Sequence, residues 1–246
     1  MTTRRRFLHA APAAAPLAAS AQPAPAFRTP ETLPLNGEWE FRAAPESLWR
    51  KVSVPHTWQV EDGLTEHYGQ AFYRRRFFAP ARWAGAVIRI EFEAVYHSLR
   101  LRLNGQPVGE HLRAGYTAFT LGLTRFVKLG AWNELEAEVD NSFDERMLPR
   151  GRSSDWAHDG GIIRPVSLLV TPPVYIEHLW VDARPQSIAS RAIVRNATGQ
   201  SARAALSLEI LTADGGSVEF SNPRAADASI PPGESRAVEL PQVTLA

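Results

Sequence analysis

The sequence predicts an all-β chain, a jelly-roll (galactose-binding-like) β-sandwich followed by a partial immunoglobulin-like β-sandwich. Three observations predict it. Short runs alternate apolar and polar residues with a period of two. Turn residues recur between those runs, with 19 prolines and 16 glycines in 246 residues. No window sustains the 3.6-residue periodicity of an amphipathic helix.

The elements follow in order. Ala86 to Glu93 alternates strictly, with Ile88, Ile90 and Phe92 on one face and Arg89, Glu91 and Glu93 on the other. Ser98 to Leu103 repeats the pattern, and Asn104-Gly105 supplies the two residues that tolerate positive φ in a tight hairpin. Glu134 to Val139 is a further alternating strand, closed by Asp140-Asn141. Val166 to Val170 is an apolar strand, and Thr171-Pro172-Pro173 redirects the chain because two prolines cannot continue a ladder. Beyond it Val174 to Val181, Ala189 to Asn196, Ala204 to Leu211 and Arg236 to Leu240 read as strands, with a turn at Ala213-Asp214-Gly215-Gly216. An immunoglobulin-like sandwich takes about 100 residues and seven strands. The second unit, residues 173–246, is therefore expected to be incomplete and to expose a strand edge.

Composition narrows the chemistry. Hydrophobic content of 44% and charged content of 22% describe an ordinary globular chain. A formal net charge of +1 gives no electrostatic footprint for nucleic acid. The absence of cysteine removes thiol catalysis, thiolate metal sites and disulfides. Residues 1–26 begin with Thr3-Arg4-Arg5-Arg6-Phe7-Leu8, which resembles a twin-arginine export signal, followed by an Ala/Pro/Leu stretch and small-residue cleavage options. That stretch is too short and too proline-broken to span a bilayer. The expectation is removal of the signal, no membrane association afterwards, and a periplasmic or secreted protein. Loss of three arginines leaves 24 basic against 26 acidic residues.

Several blocks stand together in one order: Leu35-Asn36-Gly37-Glu38-Trp39-Glu40-Phe41, Val54-Pro55-His56-Thr57-Trp58, Phe72-Tyr73-Arg74-Arg75, Leu103-Asn104-Gly105, Gly115-Tyr116-Thr117-Ala118-Phe119, Asn133-Glu134-Leu135 and Gly160-Gly161-Ile162-Ile163-Arg164-Pro165-Val166. Together they resemble the N-terminal sugar-binding domain of glycoside hydrolase family 2, which includes β-galactosidases, β-glucuronidases and β-mannosidases. The resemblance implies a jelly roll over residues 27–172, an immunoglobulin-like sandwich after it, and then a (β/α)₈ barrel carrying two catalytic glutamates. This sequence contains no barrel, so no catalytic residue is assigned within it, nor any cofactor or metal. The expected partner is a carbohydrate, a β-glycoside, with a catalytic barrel supplied in trans as a further candidate. The alternatives are a stand-alone carbohydrate-binding module and a structural domain completing a partner's barrel.

Asp155 and Trp156 are the substrate-binding candidates. The resemblance places Asp155 where β-galactosidases of the family carry an aspartate reaching toward the sugar. A carboxylate accepts hydrogen bonds from adjacent hydroxyls, as a sugar diol requires; the same side chain could equally cap its own loop. Trp156 offers an apolar face and an N–H for stacking on a sugar, or packing against a barrel. His158 and Asp159 read as solvated loop residues, Gly160-Gly161 as a tight backbone turn, and Arg164 as a structural ion-pair or carbonyl-binding residue. His56 and Trp58 read as a packed loop with a hydrogen-bonded histidine. Glu61, Asp62 and Glu66 lie in a polar loop that offers no burial to raise a carboxyl pKa for glycosidase chemistry. Arg74-Arg75-Arg76 reads as ion-pair chemistry on a strand, and no spacing among Glu31, Asp140, Asp144 and Asp155 requires a cation.

Overall fold

A computed structural model of the chain describes residues 29–146, 158–216 and 225–244. The first two sheets take their strands from ten stretches: β1 (Glu31–Pro34), β2 (Gly37–Ala43), β3 (Arg50–Val54), β4 (Gln70–Ala79), β5 (Val87–Phe92), β6 (Ser98–Leu103), β7 (Gln106–His111), β8 (Phe119–Gly122), β9 (Ala131–Asp140) and β10 (Val166–Thr171). A six-stranded sheet in the order β3-β2-β4-β9-β6-β7 packs on a four-stranded sheet in the order β1-β10-β5-β8. All pairings are antiparallel. The fold class is all-β, as the alternation predicts.

The core is built from the inward residue of each alternating pair. Ile88, Ile90 and Phe92 of β5 meet Leu168 and Val170 of β10 across from Trp39, Phe41, Tyr73, Leu101 and Leu135 of the larger sheet, all buried. The opposite residues of β5, Arg89 and Glu91, lie outside this cluster. Asn104 and Gly105 take φ of 53° and 78°, so the β6–β7 hairpin turns where the Asn-Gly pair predicts. β7 itself is hard to read in the sequence because it carries Pro107 and Gly109, and it survives as a strand because it sits at the sheet edge.

β10 ends at Thr171, and after Pro172-Pro173 the chain enters different sheets. β11 (Val174–Arg184), β12 (Ser187–Asn196) and β15 (Ser235–Thr244) form a three-stranded sheet, while β13 (Ala202–Ser207) and β14 (Ala225–Ile230) form a pair. β13 stops at Ser207 rather than Leu211, where the sequence pattern places its end; Leu211 makes only an isolated bridge. β14 is absent from the sequence reading because Ala225-Ala226-Asp227-Ala228 carries little β propensity.

The core here is small: Ala192, Val194, Leu206, Ile230, Val238 and Leu240. A cleft of about 580 Å³ opens between the two sheets, lined by Ile176, Leu179, Val194, Ala204, Leu206 and Leu240 among others. Leu179 is 54% exposed within it. Among the described residues β11 and β13 each pair on one side only.

Candidate functional site

One end of the first sandwich gathers the loops that the family resemblance singles out. There the strand-like turn Gly160–Ile162 threads between the loop carrying His56 and Trp58 and the segment carrying Tyr96. The Tyr96 N–H donates to Gly161 O at 2.9 Å and the Gly161 N–H returns to Tyr96 O at 3.1 Å. On the other side the His56 N–H donates to Ile162 O at 2.8 Å and the Trp58 N–H to Gly160 O at 3.1 Å. The Gly160 N–H also donates to Gln59 Oε1 at 2.6 Å.

The paired glycines follow from this crowding. A Cβ on Gly160 would stand 2.1 Å from the Trp58 indole, and a Cβ on Gly161, at φ +147°, would stand 2.1 Å from His56 O. Trp58 is fully buried and its indole N–H donates to His67 O at 3.0 Å. Trp58 is thus a structural residue, as the sequence reading has it.

Beneath the turn runs a directed hydrogen-bond chain. It starts at the buried Tyr73 phenol, which faces the turn closely enough that a Cβ on Gly161 would stand 3.1 Å from Tyr73 Oη. Tyr73 Oη lies 2.7 Å from His56 Nδ1, and His56 Nε2 lies 2.6 Å from Glu61 Oε1. A carboxylate only accepts, so Nε2 of His56 carries the proton and Nδ1 receives the Tyr73 hydroxyl. Arg50 closes the chain, with its Nε donating to Glu61 Oε2 at 3.0 Å and its Nη2 paired to the same oxygen.

Burial pushes the His56 imidazole below its ordinary pKa despite the opposing pull of Glu61. Partial burial pushes Glu61 up, but the bonds from His56 and Arg50 outweigh it and hold the carboxyl below its usual range. Burial drives the Tyr73 phenol well above its ordinary value. Tyr73 is the member that sequence reasoning missed as a functional support; it is quoted in a motif, yet nothing in its spacing announces the histidine 17 residues earlier.

The residue after the turn's approach is not where the sequence places it. His158 is 3% exposed, whereas a loop histidine is expected in solvent. Its Nδ1 lies 3.2 Å from Tyr96 Oη, the Asn141 amide donates to its carbonyl at 2.7 Å, and the rings of Tyr96 and Phe143 flank it. Asn141 is itself fully buried and accepts from the Gly69 N–H at 2.9 Å. An amphipathic ring packs well when both its neighbours and its backbone are satisfied, and sequence alone does not show the aromatic nest that does this. Tyr96 is pushed up to about 12, first by burial and then by Tyr116 and Asp159 nearby. Asp159 is half-buried and lines a shallow pocket of about 280 Å³ with His56, Thr57, Tyr116 and Ile163.

At the other flank Asp144 takes a bidentate grip from Arg146, at 3.0 and 3.1 Å, with Arg113 at 3.8 Å. The hydrogen bonds from Arg146 hold its carboxyl at about 2. Asp155 and Trp156, the substrate-binding candidates, lie outside the described residues. So do the twin-arginine motif and the rest of residues 1–26.

Most of the remaining candidates have structural partners, and Arg164 is the exception. Arg164 is exposed, not buried, and no ion pair or carbonyl holds it among the described residues, which corrects the expectation of a structural contact. Arg74 pairs with Glu40 at 2.8 Å, and Arg75 Nη1 donates to the carbonyls of Leu35, Asn36 and Glu38, so this run is ion-pair and carbonyl chemistry. Glu31 binds Arg82 and Trp83, and Asp140 accepts from the Ser142 N–H. Among the described residues no three His, Asp or Glu side chains converge as a metal site, and no helix is long and apolar enough to cross a membrane.

Comparison with known proteins agrees with this geometry. A family model for "Glycosyl hydrolases family 2, sugar binding domain" matches residues 10–172. A β-glucuronidase of Bacteroides fragilis is 27% identical over 199 residues, covering 74% of this chain and 28% of that protein. A β-galactosidase of Thermoanaerobacter pseudethanolicus is 30% identical over 165 residues, covering 63% and 22%. Among solved structures, Bacteroides uniformis β-glucuronidase 2 covalently bound to cyclophellitol-6-carboxylate aziridine superposes with a TM-score of 0.73 at 25% identity, over 88% of this chain and 28% of that one. The chain thus spans about a quarter of the length of the relatives it matches. It belongs to glycosyl hydrolase family 2, and residues 10–172 match that family's sugar-binding domain.

Proposed function

We propose that this chain is the exported, non-catalytic, carbohydrate-contacting part of a β-glycosidase, with the hydrolytic glutamates on a barrel outside it. In the complete protein the reaction is hydrolysis of a β-glycosidic bond, and the barrel is either part of the same polypeptide or supplied in trans. Asp155 accepts hydrogen bonds from the sugar's hydroxyls and Trp156 packs against the ring or the barrel wall.

The observation that carries this reading is the double clamp on the segment's exit. Asn141 grips His158, and the Tyr73–His56–Glu61–Arg50 chain grips the Gly160–Ile162 turn. A binding contact needs rigid support within a fraction of an ångström, and this support sits beside the Asp155 position in sequence. The carboxylates described nearby fit a non-catalytic role. Glu61 and Asp144 are both held below their ordinary pKa by arginine and histidine partners, opposite to the raised pKa of a glycosidase acid.

The test uses 4-nitrophenyl β-D-glucuronide and 4-nitrophenyl β-D-galactoside. The chain alone should release no nitrophenol. In the barrel-containing protein Asp155→Asn should raise KM and lower kcat/KM by about ten-fold, the loss of one charge-assisted hydrogen bond. Turnover by the isolated chain, or an Asp155→Asn variant with wild-type kinetics, refutes the proposal. Export is tested separately: Arg4→Lys with Arg5→Lys should trap the precursor in the cytoplasm.

A further inference from the structure

The outward face of the six-stranded sheet is charged and carries several ion pairs: Arg74 with Glu40 at 2.8 Å, Lys51 with Glu38 at 2.9 Å, Arg100 with Glu138 at 3.1 Å. One patch breaks the pattern. Phe78 of β4 and Trp132 of β9 are direct cross-strand partners, and their side chains stand in solvent at 44% and 59% exposure. Their rings meet edge-to-face, centroids 5.8 Å apart, and the Arg76 guanidinium lies 5.6 Å from the Trp132 ring. Glu134 faces Arg76 in the ladder, one step along the same face from Trp132. The Trp132 indole N–H makes no hydrogen bond among the described residues.

We propose that Phe78 and Trp132, flanked by Arg76 and Glu134, form a second carbohydrate-binding surface that takes one neutral pyranose ring of a β-linked glycan. The apolar C–H face of a pyranose stacks on an indole, and its hydroxyls match the unused indole N–H, the guanidinium and the carboxylate. Arg76 and Glu134 are opposite charges side by side, which favours a neutral sugar over an anionic one. Size excludes a protein partner on this patch alone. The two rings expose roughly 200 Å², against about 800 Å² per side in a stable protein interface.

The surface is separate from the clamp that Asn141 forms with His158. Trp132 lies at the start of β9 and Asp140 at its end, eight residues or about 26 Å apart, and it is the Asp140 end that adjoins Asn141 and His158. The inference goes beyond the proposed function and does not depend on Asp155.

Affinity electrophoresis of the chain in native gels containing soluble xyloglucan or galactomannan tests it. The wild type should be retarded by at least one of the two. Trp132→Ala should weaken that retardation by about ten-fold, Trp132→Phe should retain part of it, and Leu48→Ala, an exposed apolar residue away from the patch, should leave it intact. Both Trp132 variants keep the fold because the side chain is exposed, which an unchanged thermal midpoint verifies. The proposal is overturned if neither glycan retards the wild type or if Trp132→Ala is retarded equally. Retardation weakened equally by Leu48→Ala also overturns it.

Discussion

Gly161→Ala is the sharpest test of the clamp. The new Cβ would stand 2.1 Å from His56 O, 3.1 Å from His56 C and 3.1 Å from Tyr73 Oη. Ordinary contact begins near 3.4 Å, so the two backbones must separate by more than an ångström. That movement breaks the His56-to-Ile162 bond and displaces the Tyr73 end of the chain beneath it. One buried bond left unmade costs about 1–3 kcal/mol, and a left-handed φ on an L-residue about 1–2 kcal/mol. The expected total is about 4 kcal/mol, or roughly 10 °C in thermal midpoint for a domain of this size. Gly37→Ala is the matched control, because Gly37 has φ +98° but nothing within 4 Å of its added Cβ. It should cost only the φ contribution, about 1 kcal/mol and about 3 °C. Near-UV circular dichroism follows Trp39, Trp58 and Trp83, which are buried in this core. If the two variants melt within about 2 °C of each other, the close approach is not what fixes Gly161.

Asn141→Ala leaves the Gly69 N–H and the His158 carbonyl without their partner, and urea unfolding should register a loss of about 2–3 kcal/mol. The His56 imidazole is held neutral, so the unfolded chain takes up its proton first. Stability is full above the unfolded pKa near ~6.5 and falls as pH drops from there through the lowered folded value. Glu61, also depressed, adds a further loss below about pH 4.3. His56→Gln should therefore show a shallower fall in thermal midpoint between pH 7 and 5 than wild type, and identical slopes would refute the linkage. Leu179→Ser should change stability by less than about 0.5–1 kcal/mol, since the side chain is half in solvent, while reducing light scattering at high protein concentration.

Strands with one wet face were legible because alternation encodes burial directly. Ile88, Ile90 and Phe92 declare β5, and Asn104-Gly105 declares its neighbour's hairpin. Strands such as β7, with Pro107, and alanine-rich β14 were not, because sheet position rather than local preference makes them strands. The site divides in the same way. His56 and Trp58 could be read as packed from their place beside Pro55. The burial of His158 could not, since it depends on Tyr96 and Asn141, distant in sequence and brought near by the ends of β5 and β9. Arg164 failed in the opposite direction: an arginine among apolar residues suggests a buried partner, but it falls on the solvent side of the approach to β10.

The unequal size of the two cores sets an order of events under stress. The first sandwich buries three tryptophans and strands from both sheets, whereas among the described residues the core cluster of β11 to β15 holds six small or medium buried side chains. Local opening free energy scales with such burial. The C-terminal sheets should therefore exchange their amide hydrogens and admit proteases well before the first sandwich yields. A limited digest that spares residues up to β10 would isolate the sugar-binding unit intact, its clamp still closed.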